Sequence, residues 1–170
     1  MRLCNQIALW LRDRGVGTVF VVSGGASLWL IHGIDETEGI DYLPMQHEQS
    51  CGFAADAYTR LKGLGACMVT SGPGATNLIT SIASSWYDSI PTLYIAGQVS
   101  SARIKFSEGL RQFAFQQTPI VEMVKDITKF AVEVTNKEEA IPSFDEALRN
   151  MRDGRPGPAL ISICDDVQRS

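Results

Sequence analysis

The sequence has little that would tie it to a nucleic acid or to a membrane. Its 170 residues carry 15 Lys and Arg against 19 Asp and Glu, a net charge of -4, and the basic residues form no cluster. A mildly acidic chain of this kind gives no electrostatic reason to bind nucleic acid. No apolar run approaches the roughly 20 residues that cross a bilayer, and residues 1–14 lack the apolar core of a signal peptide. We therefore predict neither a nucleic-acid partner nor a membrane partner.

Cysteine and histidine are also scarce, which limits metal and nucleophilic chemistry. The four cysteines form no C-x-x-C pair, and only His32 and His47 are available to any catalytic triad. The chain has no G-x-S-x-G elbow, no H-E-x-x-H helix and no EF-hand loop, so we predict no metal site within it. Cys67 and Cys164 lie in apolar runs. We interpret the cysteines as buried, reduced side chains of a cytoplasmic protein.

Short apolar runs alternate with helical patterns along the chain. Strand-like runs lie at 19–22, 40–43, 66–70, 92–96, 128–134 and 159–163, and helical patterns at 3–11, 27–34, 48–61, 75–85, 120–124 and 138–151. Parallel strands need helical crossovers, so this alternation predicts an α/β fold with a parallel sheet and helices on both faces. The length is typical of one domain, 1–170. Residues 98–118 are the least regular stretch, which is typical of a functional loop.

The loops of interest follow the strands. Open parallel sheets bind ligands beyond the carboxyl ends of their strands, here after Val22, Leu43, Thr70 and Ala96. Two of these loops are rich in glycine, 23–25 and 71–74. Glycine allows close approach of the backbone to a ligand, but neither loop is a Walker loop or a G-x-G-x-x-G fingerprint. A structural turn and a binding loop both remain open for each.

His47 and Glu48 follow the second strand and open a helix. At that place Glu48 would lie on the ligand side of the sheet. A first-turn glutamate also complements the helix dipole, and the dipeptide alone favours this structural interpretation. His47 is likewise more typical of a capping side chain than of a catalyst.

Taken together, five segments resemble one family. They are His47-Glu48-Gln49, 54–60, 69–77, Asp88-Ser89-Ile90-Pro91 and Gly97-Gln98-Val99. Their order and spacing resemble the N-terminal domain of acetolactate synthase and its thiamine-diphosphate-dependent relatives, and Phe115-Gln116 and the turn 154–158 continue the match. The resemblance implies a flavodoxin-like, doubly wound parallel sheet.

The family holds thiamine diphosphate between two domains, usually from different subunits. The resemblance implies that this chain binds the aminopyrimidine. It implies that the diphosphate is held through Mg²⁺ by a metal-diphosphate domain of the same or another chain, because no Gly-Asp-Gly occurs here. A homo-oligomer and a 2-keto acid substrate are expected. The resemblance leaves flavin (FAD) open, and no residue indicates it.

The resemblance also assigns site residues. Glu48 would be the catalytic carboxyl, which hydrogen-bonds a ring nitrogen of the aminopyrimidine and so helps the cofactor to lose a proton. The following turn, with Cys51, Phe53 and Ala54, would give this carboxyl an apolar surrounding. The other assigned residues are Gly24, Gly25, Pro73 and Asn77 for the cofactor and Gln116 for the substrate entrance.

Two departures bear on the reaction. Acetolactate synthases usually have Gly-x-Pro-Gly-Gly after the first strand, where this chain has Val21-Val22-Ser23-Gly24-Gly25, and Phe115-Gln116-Gln117 stands in place of Phe-Gln-Glu. The first variant is similar to acetolactate-synthase-like proteins of sugar and surface-polysaccharide pathways. Acetolactate-type carboligation and decarboxylation therefore both stay open.

We expect the domain to be part of a longer chain whose middle domain begins near Val167. One alternative is a separate alpha subunit of a split decarboxylase, such as sulfopyruvate decarboxylase. Another is a non-catalytic assembly or binding module that keeps the fold, against which the presence of Glu48 argues. A flavodoxin-type flavin binder is a weaker alternative, because its phosphate loop would need more Ser and Thr after the first strand.

Overall fold

A computed structural model of the chain describes residues 1–104, 110–111 and 114–170. The strands are β1 Thr18–Val21, β2 Asp41–Pro44, β3 Ala66–Val69, β4 Leu93–Gln98, β5 Phe130–Val134 and β6 Ala159–Cys164. The helices are α1 Leu3–Arg12, α2 Leu28–Asp35, α3 Glu48–Lys62, α4 Pro73–Thr76, α5 Ile79–Asp88, α6 Ile120–Val124, α7 Ala140–Arg152 and α8 Asp165–Gln168. In the connection 98–118 a 3-10 turn forms at Ser101–Arg103, while residues 105–109 and 112–113 lie outside the described residues.

The six strands form one sheet in the order β2-β1-β3-β4-β6-β5, and every pairing is parallel. The chain runs outward from β1 to β2 and then crosses back to β3 on the other side of β1. The topological switch point therefore lies between β1 and β3, where ligands bind in doubly wound folds. The predicted flavodoxin-like α/β class is confirmed.

Two apolar cores form, one on each face of the sheet. One core joins α1, α2 and α7 to alternate strand residues such as Val19 and Ile161. The other joins α3, α5 and α6 to residues such as Val69 and Leu160. Residues of β3, β4 and β6 are buried throughout, because helices cover both faces of these central strands.

The edge strand β2 is less covered than the central strands. All four residues of this edge strand are exposed, and Tyr42 and Leu43 are among the exposed large apolar side chains of the molecule. Among the described residues, the only strand beside β2 is β1. Its second edge is therefore free within the described part of the chain, and a sequence pattern alone does not distinguish an edge strand from a central one.

All four cysteines are buried free thiols, as predicted. Burial raises the pKa of the Cys164 thiol to about 12, and the carboxylate of Glu133 adds to the effect. Among the residues that the structure describes, no helix combines the length and apolar character needed to cross a bilayer.

Candidate functional site

The site is built at the carboxyl edge of the sheet, around the switch point. Glu48 is the first residue of α3, a helix of 15 residues. His47 precedes it as the N-cap, and its Nδ1 accepts a hydrogen bond of 3.1 Å from the Gln49 amide. His47 is thus a capping side chain, as its sequence context suggested. The cap fixes where the helix begins and so where the Glu48 side chain leaves the backbone.

A second side chain meets Glu48 from the loop after β3. Asn77 caps the carboxyl end of the short helix α4, and its Nδ2 donates to Glu48 Oε2 over 2.9 Å. This bond crosses 29 residues of sequence. It joins two of the residues that the sequence resemblance assigned to the cofactor and fixes one carboxylate oxygen. The other oxygen, Oε1, faces Gly74, where an added Cβ would lie 3.5 Å from it.

Thr70 connects the two glycine loops. Its Oγ1 accepts from the Ala26 amide over 3.2 Å. A Cβ at Gly24 would lie 2.5 Å from the Thr70 Cβ, and a Cβ at Gly74 would lie 2.7 Å from its Cγ2. Both loops therefore approach the switch point closely only because glycine lacks a side chain. Sequence reasoning missed Thr70 as a site residue, although its place at the end of a buried strand, beside a glycine turn, was a usable signal.

Two further residues, Gln168 and Gly97, contact the first glycine loop. Gln168 is fully buried, and its Nε2 donates to the carbonyls of Ala26 and Ile163 over 2.7 and 2.8 Å. Gly97 of β4 approaches the same Ala26 carbonyl so closely that a Cβ there would overlap it. The loop is therefore fixed on three sides, by Thr70, Gln168 and Gly97.

The remaining assigned residues follow strands at the same edge and, among the described residues, form no hydrogen bond with the Glu48 side chain. Gly25 opens a 3-10 turn and is exposed, with open space where a Cβ would stand. Pro73 is exposed at the first position of α4. Gln116 has a positive φ of 58° and lies against Gly72, where an added Cβ would be 3.0 Å from its carbonyl oxygen. Gln116 is thus beside the second glycine loop.

The expected apolar surrounding of Glu48 is only partly present. Cys51 is buried in the core, but Phe53 is 42% exposed and points away from that core. Glu48 as a whole is half-buried, and its carboxyl bonds Asn77 at an exposed position. Within this chain the following turn therefore leaves Glu48 open on one side.

A buried polar network anchors α3 behind the site. Asp56 is 5% exposed, and its carboxylate accepts from Arg60 Nε over 2.7 Å and from Ser85 Oγ over 2.6 Å. Ser85 also bonds the Tyr94 hydroxyl over 2.8 Å, and burial raises the pKa of Tyr94. Since buried polar groups of this kind are costly to leave unpaired, the network fixes α3 against α5 and β4. The start of the helix, with Glu48, is held accordingly.

Comparison with known proteins identifies the family. A family model described as "Thiamine pyrophosphate enzyme, N-terminal TPP binding domain" matches residues 1–123. The chain belongs to this family. The family match ends before β5 and β6, yet these two strands complete the same sheet.

Similar proteins include acetolactate synthases from plants and bacteria. The chain is 39% identical to the chloroplastic acetolactate synthase of Arabidopsis thaliana over 160 residues, which is 94% of this chain and 23% of that protein. It is 40% identical to acetolactate synthase 2 of Nicotiana tabacum over the same shares. It is 37% identical to the large subunit of Buchnera aphidicola acetolactate synthase, over 92% of this chain and 27% of that protein. The chain thus spans about a quarter of the length of these relatives.

Proposed function

We propose that this thiamine-pyrophosphate-binding domain grips the aminopyrimidine of thiamine diphosphate and that Glu48 is its proton-holding carboxyl. The observation that carries the proposal is the placement of Glu48. It begins α3 at the switch point of the sheet, and Asn77 holds one of its oxygens. A glutamate that served only the helix dipole would not need this partner from a glycine loop 29 residues away.

The residues present fit an aminopyrimidine. Such a ring offers nitrogen acceptors and an amino donor along one edge, and a carboxyl group matches a ring nitrogen as donor when protonated. Glu48 Oε1 faces Gly74, which has no side chain to cover this oxygen. Gly24 and Gly74 both let their loops close on Thr70, which brings the two loops together beside the carboxyl. The half-buried position of Glu48 keeps its carboxyl reachable from the ligand side.

Each residue has a distinct task in this proposal. Glu48 holds a proton at Oε1 and shares it with the ring, while Asn77 keeps the carboxyl plane in place through Oε2. Gly24, Gly25 and Pro73 shape the loops beside the ring, and Gln116 stands beside Gly72 where substrate enters. When bound, thiamine diphosphate supplies the nucleophilic carbon that attacks a carbonyl group, and this chain supplies position and proton control.

The rest of the active site would come from another domain. The part of the chain that the structure describes contains no group of three His, Cys, Asp or Glu able to hold a metal ion. We propose that a metal-diphosphate domain, in the same or a second chain, binds Mg²⁺ and the diphosphate and completes the site in a homo-oligomer. The uncovered strand β2 supports such packing.

We further propose a 2-keto acid substrate and an acetolactate-synthase-like carboligation or decarboxylation. The similar proteins described above are acetolactate synthases, which supports this choice. That residues 1–170 form one domain is supported by the single sheet that includes β5 and β6. The four free thiols support a cytoplasmic setting, where thiols stay reduced.

The test is the variant Glu48→Gln in the enzyme completed by its metal-diphosphate domain. Gln keeps the shape and an oxygen acceptor for Asn77, so the fold and cofactor binding should be retained. Activity should fall about 100- to 10,000-fold, as for loss of a positioned proton-transfer group. The affected step should be loss of the thiazolium proton, measured as slowed exchange for deuterium by NMR.

Glu122→Gln is the matched control, because Glu122 is also a first-turn glutamate, in α6, and its carboxylate is paired with Lys125 over 3.2 Å. It should leave proton exchange unchanged. Equal exchange rates for Glu48→Gln and the parent would remove Glu48 from the proposed role and leave only its effect on the helix dipole.

A further inference from the structure

The segments 88–91 and 154–158, which the proposed function does not use, meet at the edge of the sheet where the strands begin. Ser89 follows α5 just before β4, and Arg155 lies in the turn just before β6. Lys129 immediately precedes β5. All three therefore lie at the amino ends of strands, away from the Glu48 edge. Here the surface forms a cavity of about 190 Å³, lined by Trp86, Tyr87, Lys129, Arg155 and Pro156.

The two cations of this cavity are held in position. Arg155 Nε donates to Ser89 Oγ over 2.7 Å, and its Nη2 donates to the Tyr87 carbonyl over 3.4 Å. Ser89 has a φ of 61°, a left-handed conformation that is unusual for a residue other than glycine, and in this conformation its hydroxyl bonds Arg155. Lys129 Nζ donates to the Asp153 carbonyl over 3.0 Å.

Among the residues that the structure describes, neither cation is paired with a carboxylate. Within residues 1–104, 110–111 and 114–170, no ion pair includes Lys129 or Arg155. Asp88, next to Ser89, is already paired with Arg60 over 2.7 Å. Both cations keep N–H donors beyond the bonds described above, because ammonium has three and guanidinium five. The cavity therefore presents two positive charges with free donors.

An aromatic wall stands beside these charges. Trp86 packs over Gly157, where an added Cβ would lie 3.5 Å from the indole Cε3 and 2.9 Å from the Lys129 Cγ. The missing side chain at Gly157 thus lets the indole and the lysine stem approach each other. Tyr87 is 71% exposed at the rim. An aromatic surface and two fixed cations together match a ligand that combines a flat ring with an anionic group.

We propose that this cavity binds a small organic anion with one planar ring, an aromatic carboxylate or an aromatic phosphate ester. Charge-assisted hydrogen bonds from Lys129 and Arg155 hold the anion, and Trp86 and Tyr87 contact the ring. The volume is below the roughly 300 Å³ at which pockets for drug-sized ligands begin, so a single ring is the largest group that fits. The site is separate from the Glu48 edge and does not depend on the function proposed there.

The test titrates the intact chain with benzoate and with phenyl phosphate, which distinguish the two anion types. Calorimetry gives the affinity, and the NMR signal of the Trp86 indole N–H, assigned among the three tryptophans with Trp86→Phe, gives the location. Benzamide carries the ring without the charge, and acetate carries the charge without the ring. Benzamide should bind at least about tenfold more weakly than the better aromatic anion, because it loses the charge-assisted hydrogen bonds. Acetate should also bind at least about tenfold more weakly, because it loses the ring contacts with Trp86 and Tyr87.

Two variants assign the binding to the named residues. Lys129→Met keeps the stem and removes the charge, and should weaken binding at least about tenfold. Ser89→Gly keeps the left-handed conformation and removes the hydroxyl that holds Arg155, and should weaken binding several-fold without lowering the unfolding temperature. Lys62→Met is the control, because Lys62 ends α3 and does not line the cavity; it should bind as the parent does.

The proposal would be overturned by any of three results. The first is that neither aromatic anion shifts the Trp86 indole signal at millimolar concentrations. The second is that benzamide binds as tightly as benzoate. The third is that Lys62→Met weakens binding as much as Lys129→Met, which would mean a general effect of net charge.

Discussion

At the scale of single residues, the site depends on one hydrogen bond between distant parts of the chain. Glu48 and Asn77 each look ordinary in the sequence, one as a first-turn acid and the other as a turn residue. The family resemblance predicted both, but the residues alone did not predict that they touch. Their contact requires the order of β1, β2 and β3 in the sheet, which local patterns do not contain.

The bond from Asn77 should matter more for proton transfer than for stability. Asn77→Ala removes the donor that fixes Glu48 Oε2. We expect thiazolium proton exchange in the completed enzyme to slow by about tenfold, the effect of about 1.4 kcal/mol. Because Asn77 is exposed, the free energy of unfolding should change by less than about 1 kcal/mol.

A matched control is present in the same chain. Asn5 donates to Glu36 over 3.0 Å in another exposed Asn–Glu pair, near α2 and away from the glycine loops. Asn5→Ala should leave proton exchange as in the parent. If both alanine variants exchange alike, the Asn77 bond has no part in positioning the carboxyl.

At the scale of elements, the glycine loops show what a local sequence pattern can and cannot predict. Residues 23–25 and 71–74 were predicted as turns after buried strands, and both are. The sequence could not show whether each loop binds a ligand or is only a structural turn. The answer depends on contacts with Thr70, which is 46 positions from Gly24 and four from Gly74 in the sequence. The side chain of Thr70 and the missing side chains of the two glycines fit one another only after the strands are paired.

Adjacent glycines in the first loop should respond differently to the same change. Gly24 has an extended φ of -177°, so alanine meets no dihedral strain there, but its Cβ would lie 2.5 Å from Thr70. Gly24→Ala should therefore lower the free energy of unfolding by about 1–3 kcal/mol through overpacking. The measurement is urea denaturation of the chain.

Gly25→Ala provides the comparison, because nothing lies within 4 Å of its added Cβ. Its free energy of unfolding should stay within about 0.5 kcal/mol of the parent, as for most surface changes. Identical denaturation midpoints for the two alanine variants would show that the contact between Gly24 and Thr70 is not tight in solution.

At the scale of the whole molecule, the sequence predicted a parallel α/β sheet with helices on both faces, but it did not predict which strands lie at the edges. The alternation of apolar runs with helical patterns predicts a parallel sheet, because parallel strands need helical connections. This alternation does not predict the order of the strands in the sheet. The sequence therefore did not reveal that β2 lies at an edge of the sheet, where Tyr42 and Leu43 are exposed.

This uncovered edge should make the chain associate with itself. Tyr42 and Leu43 of β2 are 38% and 48% exposed, and exposed apolar side chains on an unpaired edge strand favour association. We expect concentration-dependent dimers or larger species in sedimentation velocity. Leu43→Lys should shift the distribution toward monomer, because a charge on an edge strand opposes pairing.

Leu61→Lys separates this effect from a general gain in charge. Leu61 is 82% exposed near the carboxyl end of α3, whereas Glu48 begins this helix. It should leave the association unchanged. A parent chain that stays strictly monomeric at high concentration would contradict the prediction.

The four buried thiols can report local unfolding of the chain. Each lies in the interior, and for Cys67 and Cys164 burial also raises the thiol pKa, so that little reactive thiolate exists while the chain is folded. An alkylating reagent must then wait for a fluctuation that exposes the interior. Cys51 and Cys67 lie in the core beneath α3, whereas Cys164 lies in the core on the other face. Labelling rates at these positions therefore measure how often each half of the sheet comes open, independently of any assay for a bound ligand.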